Sequence, residues 1–273
     1  MRAVVGAALR LVYRRAGSGA PLVLIHGLGH HRNAWAPVFD VLARDFDVIA
    51  VDLPNFGESP SHRWGQRLSI ENFCRDLEAN FAHWGIARPH IVGNSLGGAI
   101  ALELAARGSA ASVTALSPAG FLGPVNRIQT AAAIGLIRAR AAAPLPLLRA
   151  LSRTPGGRRL AGLGLYAHPE RVPAEAALAD LVNLKYCSGF GRTFVRNVFY
   201  RFASPVPVGV TIGWGTRDRV LPFSSAARAL ARIPDARLVP LVGCGHVPMF
   251  DDPAAVVRAI RGTIGSKKAR VGQ

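Results

Sequence analysis

The sequence predicts an α/β fold: a mostly parallel central sheet flanked by helices and interrupted once by a long helical insertion. Three observations carry that expectation. Short continuous apolar runs such as Leu22-Val23-Leu24-Ile25 read as strands buried on both faces. These runs alternate with helical stretches, an order that gives parallel strands joined by right-handed crossovers. The chain has 273 residues, 50% of them hydrophobic, a length that suits one large α/β domain or two small ones and can bury a substantial core.

Taken in order, strands are expected over 8–14, 22–25, 48–51, 90–92, 113–116, 209–214 and 237–241, with a Gly- and Pro-containing turn over 17–21 after the first. Helices are expected over 35–43, 69–84, 96–107, 224–233 and 253–264. Within 69–84, Ile70, Phe73, Leu77, Phe81 and Trp84 recur every three or four residues, one apolar stripe for packing on the core. The alternation stops at 121–202, which is helical, rich in Ala and Arg, and punctuated by Pro144, Pro146, Pro155 and Pro173. About 80 residues without a strand exceed any connecting loop, so this stretch predicts a helical cap. The expected organisation is a core of 1–120 and 203–264, a cap of 121–202, and a basic flexible tail at 265–273.

No uncharged apolar run reaches the roughly 18 residues that span a bilayer. The charge-free stretch 108–126 is broken by Pro118, Gly120, Gly123 and Pro124. The first residues hold seven apolar positions between Arg2 and Arg10 and no cleavage site, unlike a signal peptide. Cys74, Cys187 and Cys244 are too few and too scattered for a disulfide framework or a metal site, which fits a reducing compartment. The chain therefore reads as cytoplasmic, with no metal and no cofactor.

Lys and Arg number 33 against 16 Asp and Glu, a formal charge of +17. No acidic residue stands between Glu103 and Glu170, a stretch with eight arginines. Over 127–201, twelve basic residues face Glu170, Glu175 and Asp180, a local excess of +9. Thirty of the 33 basic residues are Arg in a chain rich in Ala, Gly and Pro, so drift in composition is the plainest source of the charge. Functional sources are peripheral contact with an anionic membrane through the basic cap, or an acidic substrate. Basic residues interleaved with aromatics are missing, so no nucleic-acid partner is expected.

The sharpest chemical signal is Gly93-Asn94-Ser95-Leu96-Gly97-Gly98, after one expected strand and opening a helix. A nucleophilic Ser at such a turn needs a strained backbone, and glycines two residues to either side prevent clashes with the flanking elements. The helix that follows aims its amides and dipole at developing negative charge. A serine nucleophile needs a base, and the base needs an orienting carboxylate. His246, in Gly243-Cys244-Gly245-His246-Val247-Pro248, follows the last strand, and Asp218, in Gly213-Trp214-Gly215-Thr216-Arg217-Asp218, follows the strand before it. In a parallel sheet all three fall at the carboxyl edge.

With His26-Gly27-Leu28-Gly29 after an early strand and Asp52-Leu53-Pro54-Asn55-Phe56-Gly57-Glu58-Ser59 after the next, the chain resembles the α/β-hydrolase superfamily over about residues 8–264. Gly is more usual in that family at the position of Asn55. The resemblance implies an α/β-hydrolase fold with an inserted helical cap, and an oxyanion hole from the backbone N–H groups of Leu28 and Leu96. It implies a serine hydrolase acting through an acyl-enzyme on a small ester or acyl substrate, carboxylic esters first. Carbon–carbon hydrolases of ring-fission products share the Gly-Asn-Ser-x-Gly-Gly form and are the alternative; an acyltransferase and a non-catalytic binding protein on the same scaffold stand behind them. Dehalogenases and epoxide hydrolases of the superfamily carry Asp where Ser95 stands.

Other residues have plainer readings. His26 reads as a structural histidine that braces its loop. His30 and His31 flank the expected pocket mouth, where solvent exposure and substrate contact both account for them. Asn94, beside the nucleophile, serves either the pocket or the local turn. Asp251 and Asp252 follow His246 and read as caps of the last helix. Nothing in the sequence fixes an oligomeric state.

Overall fold

The structure is a computed structural model that describes residues 9–62 and 67–265. Seven strands form one sheet among these residues: β1 (Tyr13–Ala16), β2 (Ala20–Ile25), β3 (Phe46–Val51), β4 (His90–Asn94), β5 (Ser112–Leu116), β6 (Gly209–Gly215) and β7 (Arg237–Leu241). Their order is β1-β3-β2-β4-β5-β6-β7, with β1 antiparallel to β3 and every other pair parallel. The apolar runs fix the interior: Leu22 to Ile25 of β2 are fully buried, and all five residues of β5 are buried. The register sets Gly93 against both Ile25 and Ala115, and Gly215 against Leu241. The residues that follow β2, β4, β6 and β7 therefore emerge along one edge of the sheet.

The first strand differs from the expectation over 8–14, of which residue 8 lies outside the described residues. Pairing begins only at Tyr13. Upstream of it, the Leu11 and Val12 amides donate to the side chains of Asn80 and Ser59 at 3.1 and 2.8 Å, which replaces a ladder with side-chain acceptors.

Helices α1 (Ala36–Leu42), α2 (Ile70–His83) and α3 (Leu96–Ala106) lie between the early strands. The stripe on α2 buries Ile70, Phe73, Leu77 and Phe81, and Ser69 caps its first turn by accepting from the Asn72 amide at 3.3 Å. Helix α3 is buried on nearly every side, as its Leu-Gly-Gly-Ala-Ile-Ala-Leu sequence requires.

Between β5 and β6 run α4 (Pro124–Ala141), α5 (Leu145–Arg153), α6 (Pro155–Gly162), α7 (Ala174–Tyr186) and α8 (Phe190–Asn197). Proline opens α4, α5 and α6, where its missing N–H and fixed φ cost nothing. Helices α9 (Ser225–Arg232), α10 (Pro248–Asp251) and α11 (Pro253–Gly265) complete the chain; α11 takes in Gly265, and the rest of the expected tail, 266–273, lies outside the described residues.

The insertion is stitched to the core. The Asn183 amide nitrogen donates to the Gly29 and His30 loop carbonyls at 2.8 and 2.9 Å, and its oxygen accepts from the Gly57 amide at 3.0 Å. Asn55 stands at φ 69°, a left-handed conformation that explains why glycine is usual there and why asparagine serves. Its side chain donates to Ser188 Oγ and accepts from the His62 amide, both at 3.0 Å, while its carbonyl accepts from Gly189 at 3.2 Å.

His26 braces the loop after β2 against the one after β3. Its Nε2 accepts from the Leu53 amide at 3.0 Å, so Nδ1 carries the proton and donates to the Gly27 carbonyl at 2.7 Å. Burial pushes this imidazole down to about 4 from an ordinary 6.5. The unfolded chain then binds a proton that the folded chain refuses between those values, so stability present above pH 6.5 is lost as pH falls toward 4. Denaturant titrations of the wild type should show about 2 kcal/mol lost between about pH 7 and 5 from this residue. His26→Gln should be less stable near neutrality, with a correspondingly flatter profile across that interval; an unchanged slope would remove His26 as its source.

Candidate active site

Ser95 occupies the turn from β4 into α3 at φ 57° and ψ −115°, a strained position for a residue with a side chain. Its amide donates to the Leu116 carbonyl at 2.9 Å, and its carbonyl accepts from the Ala119 amide at 3.0 Å. Neighbouring glycines make the turn sterically feasible: a Cβ on Gly93 would lie 2.0 Å from the Gly97 carbonyl oxygen, and one on Gly97 would lie 2.2 Å from the Ile25 oxygen. Ser95 is the N-cap of α3 but makes no side-chain capping bond. Leu96 is the first residue of that helix, where backbone N–H groups have no intrahelical acceptor.

Asp218 and His246 meet from the loops after β6 and β7. Asp218 Oδ1 accepts from the Val220 and Leu221 amides, both at 2.8 Å, which leaves Oδ2 for His246 Nδ1 at 2.8 Å. A carboxylate can only accept, so Nδ1 carries the proton and Nε2 is the basic nitrogen. Both residues are buried. Asn94 explains its place beside the serine: its amide nitrogen donates to the His246 carbonyl at 2.9 Å and to the Leu116 carbonyl at 3.2 Å, tying the serine turn to the histidine loop. Asn94 also lines a cavity beside the serine turn.

Two cavities flank the turn. The first is lined by Ser95, His246, Leu28, His30 and Asn94 from the core and by apolar side chains of the insertion, among them Ile137, Leu181, Leu184 and Phe190. The second is lined by Ser95, Leu28 and Leu96, with α4, α8 and Tyr200 on its other side. Ser95 and Leu28 thus stand where the two meet. Among the described residues, no group of three or more His, Cys, Asp or Glu is set to hold a metal ion.

Solvent exposure does not account for His30 and His31, because both are buried. Asp180 of α7 receives them: its Oδ1 lies 3.1 Å from His31 Nε2 and 3.4 Å from His30 Nε2, and its Oδ2 accepts from the Tyr166 hydroxyl at 2.6 Å. Burial works to raise the Asp180 carboxyl, but the two imidazoles outweigh it and hold the group below the usual carboxylate range. Burial and the same carboxylate push the Tyr166 phenol well up. His30 lines the first cavity together with Asp180 and Tyr166. Asp180 and Tyr166 carry no motif in the sequence; only a buried acid in a strongly basic segment marks the former.

Of the two acids after His246, Asp252 caps α11 by accepting from the Ala255 amide at 2.8 Å, as expected. Asp251 departs from the expected capping role. It ends α10 and accepts from the Gly245 amide at 2.8 Å and from the Ala167 and His168 amides at 3.0 Å, clamping the histidine loop to the insertion. Glu103 accepts from the Tyr200 hydroxyl at 2.6 Å.

Residues 22–259 match the model of the alpha/beta hydrolase family. The epoxide hydrolase EphH of Mycobacterium tuberculosis is 34% identical over 194 residues, which cover 67% of this chain and 89% of that protein. The 2-hydroxy-6-oxo-6-(2'-aminophenyl)hexa-2,4-dienoic acid hydrolase of Metapseudomonas resinovorans is 29% identical over 249 residues, 88% of this chain and 82% of its own. Among solved structures, the esterase RhEst1 from Rhodococcus sp. ECU1013 superposes with a TM-score of 0.73 at 26% identity, covering 95% of this chain and 99% of that one. From the parallel sheet, the strained serine turn and a family match that runs through nearly the whole core, the chain belongs to the alpha/beta hydrolase family.

Proposed function

We propose that this hydrolase cleaves carboxylic esters through an acyl-enzyme on Ser95, His246 and Asp218. The observation that carries the reading is the serine turn itself: a hydroxyl left free by its helix, in a cavity also lined by an imidazole whose Nδ1 is bound to a buried carboxylate. His246 Nε2 takes the Ser95 proton as Oγ bonds to the carbonyl carbon. It then gives that proton to the departing alkoxide as the ester bond breaks. Water, deprotonated by the same nitrogen, adds to the acyl-enzyme, and the carboxylic acid leaves with Ser95 restored. The Leu28 and Leu96 amides serve the oxyanion, a stabilisation of about 3 kcal/mol per donor in comparable hydrolases.

The 29% identity to a dienoic acid hydrolase favours a second reading, in which the same serine opens a carbon–carbon bond next to a ketone. The epoxide hydrolase relative favours no third, because Ser95 stands where that chemistry needs an aspartate. We also propose peripheral contact with anionic lipid. Of eleven exposed large hydrophobic residues among those described, nine lie in the insertion, including Ile128, Val195 and Phe199. They share that segment with its +9 charge excess, a combination that suits an anionic bilayer. No single described helix is long and apolar enough to cross a membrane.

A fluorophosphonate probe should label the wild type and not Ser95→Ala, whose turnover of para-nitrophenyl esters should fall by roughly 10³-fold or more with the fold intact by circular dichroism. Asp218→Asn should lose on the order of 10⁴-fold in kcat, because the wrong imidazole tautomer results. Turnover of a vinylogous diketo acid far above that of any ester would replace the ester reading with the carbon–carbon one. In co-sedimentation, the protein should bind phosphatidylglycerol vesicles in preference to neutral ones, more strongly at low than at physiological salt. Equal recovery with both would remove the membrane proposal.

A further inference from the structure

Among the described residues, the second cavity holds a cation with no hydrogen-bond partner. Arg127, on the first turn of α4, lines it, and its Nε and Nη2 are buried with no hydrogen bond. Thr193 of α8 lines the same cavity with its Oγ1 buried and also without a partner. Buried donors of this kind are rare in folded proteins, and a guanidinium cannot escape by losing its proton. Apart from Ser95, the other polar side chains of the lobe are already engaged. Thr130 donates to the Val220 carbonyl at 2.6 Å, the Asn197 amide to the Leu68 and Thr193 carbonyls at 2.8 and 2.7 Å, and Tyr200 to Glu103. No described lining residue is Asp or Glu.

Other arginines of the insertion fare differently. Arg138 donates to the Leu184 and Lys185 carbonyls, and Arg140 to that of Leu163 at 2.7 Å. Arg158, which lines the first cavity, has one nitrogen idle but donates with its other two to the Ser152 and Glu170 carbonyls, each at 2.9 Å. Among these four, Arg127 is the one whose guanidinium makes no hydrogen bond to another described residue.

We propose that this lobe binds a carboxylate on the substrate, with Arg127 and Thr193 as the specificity-determining pair, so that the preferred esters carry a free carboxylate. The proposal rests on Ser95 as the nucleophile, since Ser95 and Leu28 line the lobe as well. A guanidinium presents two parallel N–H groups that match a carboxylate's oxygens. One cation and one hydroxyl balance a single negative charge, whereas a phosphate dianion would leave a charge unmet among the lobe's apolar walls. The first cavity, with its own polar cluster internally satisfied, is left for the hydrocarbon part of the substrate.

The test compares kcat/KM for para-nitrophenyl butyrate and mono-para-nitrophenyl glutarate, and for phenyl butyrate and 4-carboxyphenyl butyrate, which put the carboxylate on the acyl and leaving sides. The wild type should prefer the carboxylated member of at least one pair by about tenfold or more, and Arg127→Gln should abolish that ratio chiefly through KM. Arg127→Lys and Thr193→Val should each reduce it in part. No preference in either pair, or the same ratio in Arg127→Gln as in the wild type, overturns the proposal. Absence of fluorophosphonate labelling at Ser95 overturns the ester reading alone. The lobe is then decided by glutarate, which should raise the melting temperature of the Ser95→Ala protein but not of Ser95→Ala/Arg127→Gln; equal shifts overturn it.

Discussion

The close approach of three backbones around Ser95 governs the site. Strand β4 must turn into α3 with almost no clearance, since even a methyl group on Gly93 or Gly97 would overlap a carbonyl oxygen. Holding Ser95 at positive φ costs of the order of 1–3 kcal/mol, which the surrounding structure has to outweigh. It does so through the amide and carbonyl bonds of Ser95 to the Leu116 and Ala119 backbone and through the buried residues Leu22 to Ile25 of β2 and all of β5 on either side. The same geometry leaves the hydroxyl with no capping duty and the Leu96 amide at the open end of the helix. Strain, a free hydroxyl and an open helix end are consequences of one turn.

The insertion is held by polar contacts that a sequence reading has no means of pairing. Asp180 takes three neighbours from two parts of the chain, and Asp251 joins the histidine loop to the amides of Ala167 and His168. A buried carboxylate of this kind stabilises only while all of its partners are present; removing one leaves a charge in a low-dielectric interior. The first cavity is therefore shaped by groups whose positions depend on one another, and the wall supplied by the insertion is tied to the loop that carries Leu28.

How much was legible in the sequence follows from this division. Core strands and helices carry their own signals, period and apolar continuity, and nearly all fell within a residue or two of where the structure has them. The exception, β1, is an exposed edge strand whose upstream backbone finds side-chain acceptors instead of a ladder. Ser95, Asp218 and His246 were legible because each is fixed to a strand end by local spacing. Asp180, Tyr166, Arg127 and Thr193 were not, since they meet only through helix packing in a segment without motifs. His30 and His31 were visible as residues but not as buried ones, for their burial depends on that same packing.

The charge of the insertion has a structural explanation in part. Eight arginines with no acid between Glu103 and Glu170 would repel one another in a surface held by ion pairs. Here carbonyl oxygens take the place of carboxylates: Arg138, Arg140 and Arg158 each close on backbone acceptors between short helices. Short helices expose many such acceptors, because the last four carbonyls of each have no partner within the helix. A stack of helices eight or nine residues long, as α5, α6 and α8 are, can thus absorb guanidinium groups without acidic partners. Three of the eight arginines are met in this way, whereas Arg127, which lines a cavity together with Ser95, keeps two buried nitrogens without an acceptor among the described residues.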